Sequence, residues 1–253
     1  MDRLSGVAEL LDGPLDDPVS LDANLRDLAR INRLTGGTRL SVLAIAALDG
    51  SDAALGGGDA AHGGSGPRPS SRSNARSILD VGTGGADIPM ALLARARAAG
   101  DHLEVTATDS RPEILAAAER VRPAIRRAAG LTLAIADGRS LPYPDGAFDV
   151  AHASLVVHHL EPDDAVAFLR ELRRVARDGI VVNDLVRGRL AWIGGWLLLH
   201  AVARSPYTRH DGPLSVRRAY TRAELGELIA TAGLETVVTV VGPAGHRVAL
   251  AAR

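Results

Sequence analysis

The spacing of apolar and polar positions alternates between two patterns from Ser77 onward. Short apolar runs predict buried strands, and longer stretches with helical spacing between them predict helices. The predicted strands are Ile78–Val81, Leu103–Ala107, Leu131–Ala134, Phe148–Ala153 and Gly179–Asn183. The predicted helices are Ile88–Ala99, Arg111–Ala128, Asp163–Val175 and Arg222–Ala232. Strands that alternate with helices favour an α/β fold, a doubly wound parallel sheet with helices on both faces.

Two further apolar runs change this pattern after the fourth helix. Thr236–Val241 and Arg247–Ala252 are separated by a Gly-Pro-Ala-Gly turn. Two runs joined by such a turn predict a hairpin. We therefore expect a Rossmann-like sheet of seven strands, mostly parallel, with a C-terminal antiparallel hairpin. Thr221 and Glu224 have the spacing of a capping box at the start of the preceding helix.

Two helical patterns, Val19–Leu34 and Thr38–Leu48, precede the sheet and predict an N-terminal helical cap over residues 1–49. This cap either covers the mouth of the site or serves only as packing. Residues 50–77 are rich in Gly, Pro and Ser and contain almost no large apolar side chain. Such a composition predicts a flexible linker. The main domain is then expected over residues 78–253.

Composition narrows the class of protein. The chain has 253 residues, of which 46% are hydrophobic, enough for one α/β domain with a small addition. Its net charge of -1 gives no basic excess, so we expect no nucleic-acid partner. The absence of cysteine excludes disulfides and thiolate metal sites. The longest apolar run, Leu190–Ala203, is shorter than the ~20 residues needed to span a bilayer. With no signal-peptide pattern, we expect a cytoplasmic protein.

A glycine turn joins the first strand to the first helix of the sheet. Residues 80–84 read Asp-Val-Gly-Thr-Gly, and glycines at Gly82 and Gly84 let a ligand approach the backbone closely. A dinucleotide-binding turn has a third glycine where this chain has Asp87. A carboxylate at that helix start would repel a pyrophosphate. The turn therefore disfavours an NAD-type oxidoreductase, which is kept as an alternative.

This turn, followed by acidic residues after the second and third strands, resembles the class I S-adenosylmethionine-dependent methyltransferases. The closest resemblance is to the small-molecule group related to quinone-biosynthesis enzymes. It implies S-adenosylmethionine as cofactor, with Asp109 accepting hydrogen bonds from the ribose diol and Asp137 facing the adenine amino group. Asp109 could instead cap the helix that follows it. The cofactor-binding residues that the resemblance implies are Asp80, Gly82, Thr83, Gly84, Asp109, Ser110, Arg111, Asp137, Gly138, Arg139 and Ser154, with Arg33 or Arg39 for the cofactor carboxylate.

Three histidines are candidates for a catalytic base, because the unperturbed pKa of histidine is ~6.5. His158 and His159 follow the fourth strand. His210 stands beside Asp211 in a polar segment predicted to be a loop. Each of the three could equally be an ordinary structural or surface residue. Asp184 ends the fifth strand and either faces the pocket or caps the next helix.

An insertion over residues 185–219 is expected to cover the acceptor. Trp192, Trp196 and His200 recur at helical spacing within it and share one helix face. That stripe could stack on an aromatic acceptor, or it could be core or a dimer contact. No His, Asp or Glu array has convincing metal spacing in the sequence, so no metal site is predicted.

The resemblance therefore implies an enzyme of secondary metabolism that methylates a small aromatic molecule. Methylation of a phenolic, quinone-like or polyketide-derived hydroxyl is favoured over methylation of carbon on a similar acceptor. A non-catalytic binding protein with the same fold is a further alternative, and a homodimer stays open.

Overall fold

The computed structural model describes residues 1–48 and 76–253. Its helices are α1 (Pro18–Leu34), α2 (Gly37–Leu48), α3 (Asp87–Ala99), α4 (Pro112–Val121), α5 (Pro162–Val175), α6 (Arg189–Val202), α7 (Pro206–Arg218) and α8 (Arg222–Thr231). Its strands are β1 (Arg76–Val81), β2 (Leu103–Asp109), β3 (Leu131–Ile135), β4 (Phe148–Ser154), β5 (Ala176–Leu185), β6 (Thr236–Val241) and β7 (Arg247–Ala252). Short 3-10 turns at Leu10–Asp12 and Val157–His159 lie near the site described below.

The strands form one seven-stranded sheet in the order β3-β2-β1-β4-β5-β7-β6. Strands β1 to β5 pair in parallel, and β7 runs antiparallel to both β5 and β6. The chain reverses direction across the sheet at β1, where β2 lies on one side and β4 on the other. This topology confirms the predicted fold class and places the carboxyl ends of β1 and β4 at the switch point, where ligands of open α/β sheets bind.

Helices cover both faces of the sheet. On one face, α5 and α8 pack Phe168, Leu172 and Leu225 against the inner strands. On the other, α2 and α3 bury Ile45 and Leu92. The capping box predicted at Thr221 and Glu224 is present at the start of α8, where each side chain accepts the backbone N–H of the other residue.

The two N-terminal helices have different positions. Helix α2 belongs to a sheet layer, because Leu40, Ala44 and Leu48 pack in the same cluster as strand residues of the core. Helix α1 begins with Asp17 as N-cap and packs on α4 and α7 instead. Residues 50–75 of the predicted linker lie outside the described residues. Its last two residues, Arg76 and Ser77, are not linker but begin β1.

The predicted insertion folds as two helices, α6 and α7. The prediction of a loop around His210 is wrong, since residues 207–213 lie inside α7. Pro206 begins this helix, a position that proline favours, and Pro213 is accommodated within it. Tertiary contacts outweigh the local signal here, because Asp211 accepts the backbone N–H groups of Leu10 and Leu11 at 2.8 and 3.1 Å. In the part of the chain that the structure describes, no helix combines the length and apolar character needed to cross a membrane.

Candidate active site

A cavity of about 730 Å³ opens at the carboxyl ends of β1, β2 and β4. Its floor is formed by the glycine turn after β1 and by the loops after β2 and β4. Helices α1, α6 and α7 form the walls, and a segment around Glu9 and Asp12 closes one side. Helix α2 contributes none of the described lining residues, whereas α1 contributes several, so a covering role stays a prediction for α1 and packing describes α2.

The glycine turn brings backbone rather than side chains to the cavity floor. Gly82 has a φ of +69°, and a Cβ added there would lie 2.5 Å from Cγ2 of Val156. Thr83 and Gly84 continue the turn, and the N–H of Thr83 donates to the carbonyl of Thr108 at 2.8 Å. The turn therefore requires glycine at position 82 both for its backbone conformation and for space.

Asp109 joins the loops after β1 and β2. Its carboxylate accepts the backbone N–H of Gly84 at 3.2 Å and that of Arg111 at 3.1 Å. Burial raises the pKa of Asp109, and these two hydrogen bonds partly offset the effect. The predicted capping role is not observed, because the N-cap of α4 is Arg111 and no side chain caps that helix. Ser110 and Arg111 line the cavity beside the carboxylate.

Asp80 lies at the end of β1, beneath the turn, with only 3% of its surface exposed. Its carboxylate contacts Nδ1 of His152, whose Nε2 lies 2.8 Å from the hydroxyl of Ser41 on α2. Asp80 is thus held in a fixed orientation at the cavity floor by a buried chain of side chains.

Arg247, at the start of β7, anchors a second buried network. Its guanidinium donates to Asn32 at 2.6 Å, to Asn183 at 2.7 Å and to Ser154 at 2.7 Å. Asn32 in turn donates to Asp87 at 3.0 Å. Burial lowers the pKa of Arg247 to about 10. Four elements, α1, β4, β5 and β7, therefore meet at one positive charge beside the cavity.

His158 follows β4 and lines the cavity. Its Nδ1 lies 2.7 Å from Oδ1 of Asp184, at the end of β5, and its backbone N–H donates to Oδ2 at 3.0 Å. Burial alone would raise the pKa of Asp184, but the interactions with His158 and the N–H of Leu185 outweigh it and lower the pKa. Because the ionised carboxylate of Asp184 is paired with Nδ1 of His158, Nε2 is the ring nitrogen that stays available for other groups.

His159, the next residue along the chain, also lies close to acidic side chains. Its Nδ1 lies 3.1 Å from Asp12, and its Nε2 lies 3.8 Å from Glu9. Nε2 of His158 is also 3.8 Å from Glu9, so the Glu9 carboxyl group stands between the two imidazoles. Burial raises the pKa of Glu9 to about 7, although His159 and Arg218 oppose the shift.

Glu9, His158 and His159 also have ligand atoms within 4.8 Å of one another, a spacing that could hold a metal ion. Nη1 of Arg218 lies 3.5 Å from Oε1 of Glu9 and already places a permanent positive charge there. The arrangement therefore favours hydrogen bonding and proton transfer over metal binding. The sequence could not show this group, since Glu9 lies far from the histidines along the chain.

Several residues predicted for the site lie elsewhere. Asp137 pairs with its neighbour Arg139 at 2.9 Å, and both side chains are about half exposed, at 49% and 60%. Gly138 packs against Phe168. The cavity lining includes none of these three residues, Asp137, Gly138 and Arg139. The role of Asp137 at the adenine therefore stays a prediction.

Other predicted residues are directed to the surface. Arg33 and Arg39 are exposed and do not line the cavity, whereas the neighbouring Asn32 does. His210 is also exposed and outside the cavity, paired with Asp211 at 2.8 Å. Asp211 accepts the backbone N–H groups of Leu10 and Leu11, so it holds the segment that carries Glu9.

The described lining carries more carboxyl groups than guanidinium groups. Six carboxyl groups face two guanidinium groups: Glu9, Asp12, Asp80, Asp87, Asp109 and Asp211 against Arg111 and Arg247. Such a cavity favours a cationic ligand and disfavours a pyrophosphate. S-adenosylmethionine, which carries a positive sulfonium and no phosphate, fits this charge, whereas a dinucleotide does not.

Sheet order, glycine turn and acidic cavity together are typical of the class I S-adenosylmethionine-dependent methyltransferase fold. Residues 78–179 match the family model described as a methyltransferase domain. The resemblance noted in the sequence is thereby confirmed, with S-adenosylmethionine as the cofactor of this domain class.

Two curated proteins are similar to parts of the chain. One is a malonyl-[acyl-carrier protein] O-methyltransferase of Halorhodospira halophila, 37% identical over 149 residues, which cover 55% of this chain and 46% of that protein. The other is the ubiquinone/menaquinone biosynthesis C-methyltransferase of Rickettsia akari, 32% identical over 100 residues and 40% of each chain. The chain therefore spans less than half the length of either relative.

A solved structure supports the fold. A methyltransferase from Aquifex aeolicus matches with a TM-score of 0.51 at 22% identity, over 70% of this chain and 81% of that chain. At this identity the likeness concerns the fold alone.

Proposed function

We propose that this chain transfers the methyl group of S-adenosylmethionine to a hydroxyl of a small phenolic, quinone-like or polyketide-derived acceptor. The observation that carries the proposal is the buried pair of His158 and Asp184 at the edge of the cavity. A phenol must lose its proton when its oxygen is methylated, and a histidine with one nitrogen held by a carboxylate is a suitable base.

The cofactor would occupy the floor of the cavity. When bound, it supplies a methyl group on a positively charged sulfur, which is already activated for transfer. Asp109 would accept hydrogen bonds from the ribose hydroxyls while remaining oriented by the N–H groups of Gly84 and Arg111. The buried Arg247 guanidinium, which donates to Asn32 and Ser154, would place positive charge near the cofactor carboxylate, in place of the exposed Arg33.

The acceptor would lie between the histidines and α6. The part of α6 that lines the cavity is apolar, with Ala191, Leu198 and Leu199 facing inward. An apolar wall opposite one oriented base suits a flat, largely apolar molecule with one reactive hydroxyl. Holding that hydroxyl in line with the methyl group is the main contribution expected from the protein.

Methylation of carbon on a similar acceptor is the second candidate. The relative from Rickettsia akari carries the name of a C-methyltransferase, and the same base could form a phenolate whose ring carbon then reacts. The two candidates differ only in the position of the new methyl group, so they share the site described above.

Two measurements test the proposal. Calorimetry with S-adenosylhomocysteine and with NAD is expected to detect binding of the first only. The enzyme is then incubated with S-adenosylmethionine bearing a labelled methyl group and a panel of phenols and quinols, and product NMR locates the label. Label on oxygen supports the proposal, label on carbon supports the second candidate, and binding without transfer to any acceptor supports a non-catalytic protein.

A further inference from the structure

Helix α6 is apolar on almost every side, yet Leu199 is its only buried residue among those described. Residues 190–203 contain no charged side chain. A helix that is hydrophobic all round is ordinarily enclosed by protein or lipid. The inner side of α6 lines the cavity and packs on α7, which leaves its outward side chains without a protein partner in the described parts of the chain.

The outward side chains form one continuous surface, which we name the outer face of α6. At 3.6 residues per turn they occupy an arc of about 160°. The outer face consists of Trp192, Ile193, Trp196, Leu197 and His200, together with Leu190, which also borders the cavity. Leu190 is 86% exposed and Leu197 57% exposed, and the ring of Trp196 stacks on His200 with centroids 4.2 Å apart. A contiguous exposed apolar patch of this kind marks an interaction site.

Positive charge stands at both ends of the outer face. Arg189 precedes it and Arg204 follows it, and both are exposed. The sequence contains no acidic residue between Asp184 and Asp211. Within residues 1–48 and 76–253, no carboxylate pairs with either guanidinium. The two charges are therefore free to meet an anionic partner.

A second copy of the chain fits this surface poorly. A two-fold contact between outer faces would place arginines of one copy opposite arginines of the other, and like charges across an interface oppose association. An anionic lipid surface accepts both ends of the helix at once. Tryptophan side chains are also enriched at the level of lipid headgroups, where their rings are partly apolar and partly polar.

We propose that the outer face of α6 docks on an anionic lipid bilayer, with Trp192 and Trp196 among the headgroups and Arg189 and Arg204 against lipid phosphates. The helix has 14 residues, about 21 Å of length, so it lies on the surface rather than across it. The inner face of the same helix lines the cavity, so docking would bring the cavity within one helix of the lipid. The inference goes beyond the proposed function and does not depend on it.

The chain offers its own reporter for the test. Its two tryptophans are Trp192 and Trp196, so its tryptophan emission reports on the outer face alone. The full chain is titrated with vesicles of phosphatidylcholine containing phosphatidylglycerol, and with vesicles of pure phosphatidylcholine. Emission is expected to shift to shorter wavelength with the anionic vesicles, together with co-sedimentation of the protein. Unchanged emission and no co-sedimentation would overturn the proposal.

Two pairs of variants separate docking from general charge attraction. Arg189→Gln/Arg204→Gln keeps both tryptophans and should weaken binding to anionic vesicles by about tenfold or more. The matched control, Arg95→Gln/Arg97→Gln, makes the same charge change at exposed positions on α3 and should bind as the parent does. An equal loss of binding to anionic vesicles in both double variants would overturn the proposal.

Apolar contact is tested in the same way. Trp192→Ser/Trp196→Ser should lose co-sedimentation, whereas Val19→Ser/Leu34→Ser, at exposed positions on α1, should retain it. Circular dichroism checks that each variant is folded. Light scattering without vesicles tests whether a second copy covers the outer face instead. A dimer formed by the parent chain and lost in Trp192→Ser/Trp196→Ser would assign the outer face to that contact. This result would refute docking on lipid.

Discussion

Nδ1 of His158 lies 2.7 Å from the carboxylate of Asp184, and both side chains are almost entirely buried. The pair joins the end of β5 to the turn after β4, so the sheet itself sets the orientation of the imidazole. Because Asp184 also accepts the backbone N–H of His158, the carboxylate holds the ring and its backbone together. The proposed acceptor side of the site is therefore built on the same sheet as the proposed cofactor side.

Replacing His158 with alanine is expected to lower turnover by about 10²–10⁴-fold, the usual contribution of a general base. Affinity for S-adenosylhomocysteine should change little, because His158 lies at the acceptor side. Turnover assays and calorimetry measure the two quantities separately. His210→Ala is the control, since His210 is exposed and lies outside the cavity. Equal turnover in His158→Ala and the parent would refute the role of His158.

Asp109→Ala is expected to weaken binding of S-adenosylhomocysteine by roughly 10–100-fold, because hydrogen bonds to a charged group contribute about 1.5–3 kcal/mol. Calorimetry measures the change. Asp137→Ala is the comparison, and its effect should be smaller, since that carboxylate is half exposed and paired with Arg139. A larger loss in Asp137→Ala than in Asp109→Ala would contradict this assignment.

Glu9 gives the stability of the protein a distinct pH dependence. Burial raises the pKa of Glu9 to about 7, so the folded state holds a proton that the unfolded carboxyl group releases near its ordinary pKa of 4.5. The contribution of Glu9 to stability therefore falls as pH rises from about 4.5 to about 7, and the loss is complete above that range.

Glu9→Gln is expected to be more stable than the parent at alkaline pH, by about 3 kcal/mol at most, with the difference vanishing at acid pH. Denaturant unfolding across this range measures it. The charged and titratable groups that face Glu9 are Asp12, His158, His159, Asp211 and Arg218. The control is Glu227→Gln, which makes the same substitution at an exposed position on α8. A parent more stable than Glu9→Gln at alkaline pH would show that the contact with Arg218 dominates.

Gly82→Ala is expected to abolish cofactor binding and to destabilise the protein, since the new methyl group would lie 2.5 Å from Val156. Gly100→Ala is a matched control, with a φ of +77° but no atom within 4 Å of the added Cβ. Both variants carry the strain of a left-handed backbone, so the difference in their melting temperatures isolates the steric contact. Similar melting temperatures and similar cofactor affinity would contradict the close approach.

The sheet could be predicted from the sequence because each strand is a short apolar run with clear boundaries. Strand β4, for example, was expected at Phe148–Ala153 and extends one residue further. Asp109 could likewise be placed at a strand end. The site itself was harder to predict. Glu9 and Asp12 lie in a segment with no periodic pattern, and their partners are more than a hundred residues away.

Arg247 and Asn32 were missed for a related reason. A single arginine at the start of a strand resembles any surface residue, and only the folded chain shows that it is fully enclosed. The region around His210 was misread because Pro213 and Gly212 favour a loop locally, whereas the contacts of Asp211 with the N-terminal segment stabilise a helix.

The network of Arg247 bears on the order in which the protein assembles. One guanidinium from β7 is bonded to a side chain of α1 and to another of β5, so residue 247 links residues 32 and 183. During synthesis α1 emerges before β7, and Arg247, the partner of Asn32, is translated more than two hundred residues after it. A ribosome-bound chain stopped before β7 would therefore have most of its sheet but an unfinished cavity wall.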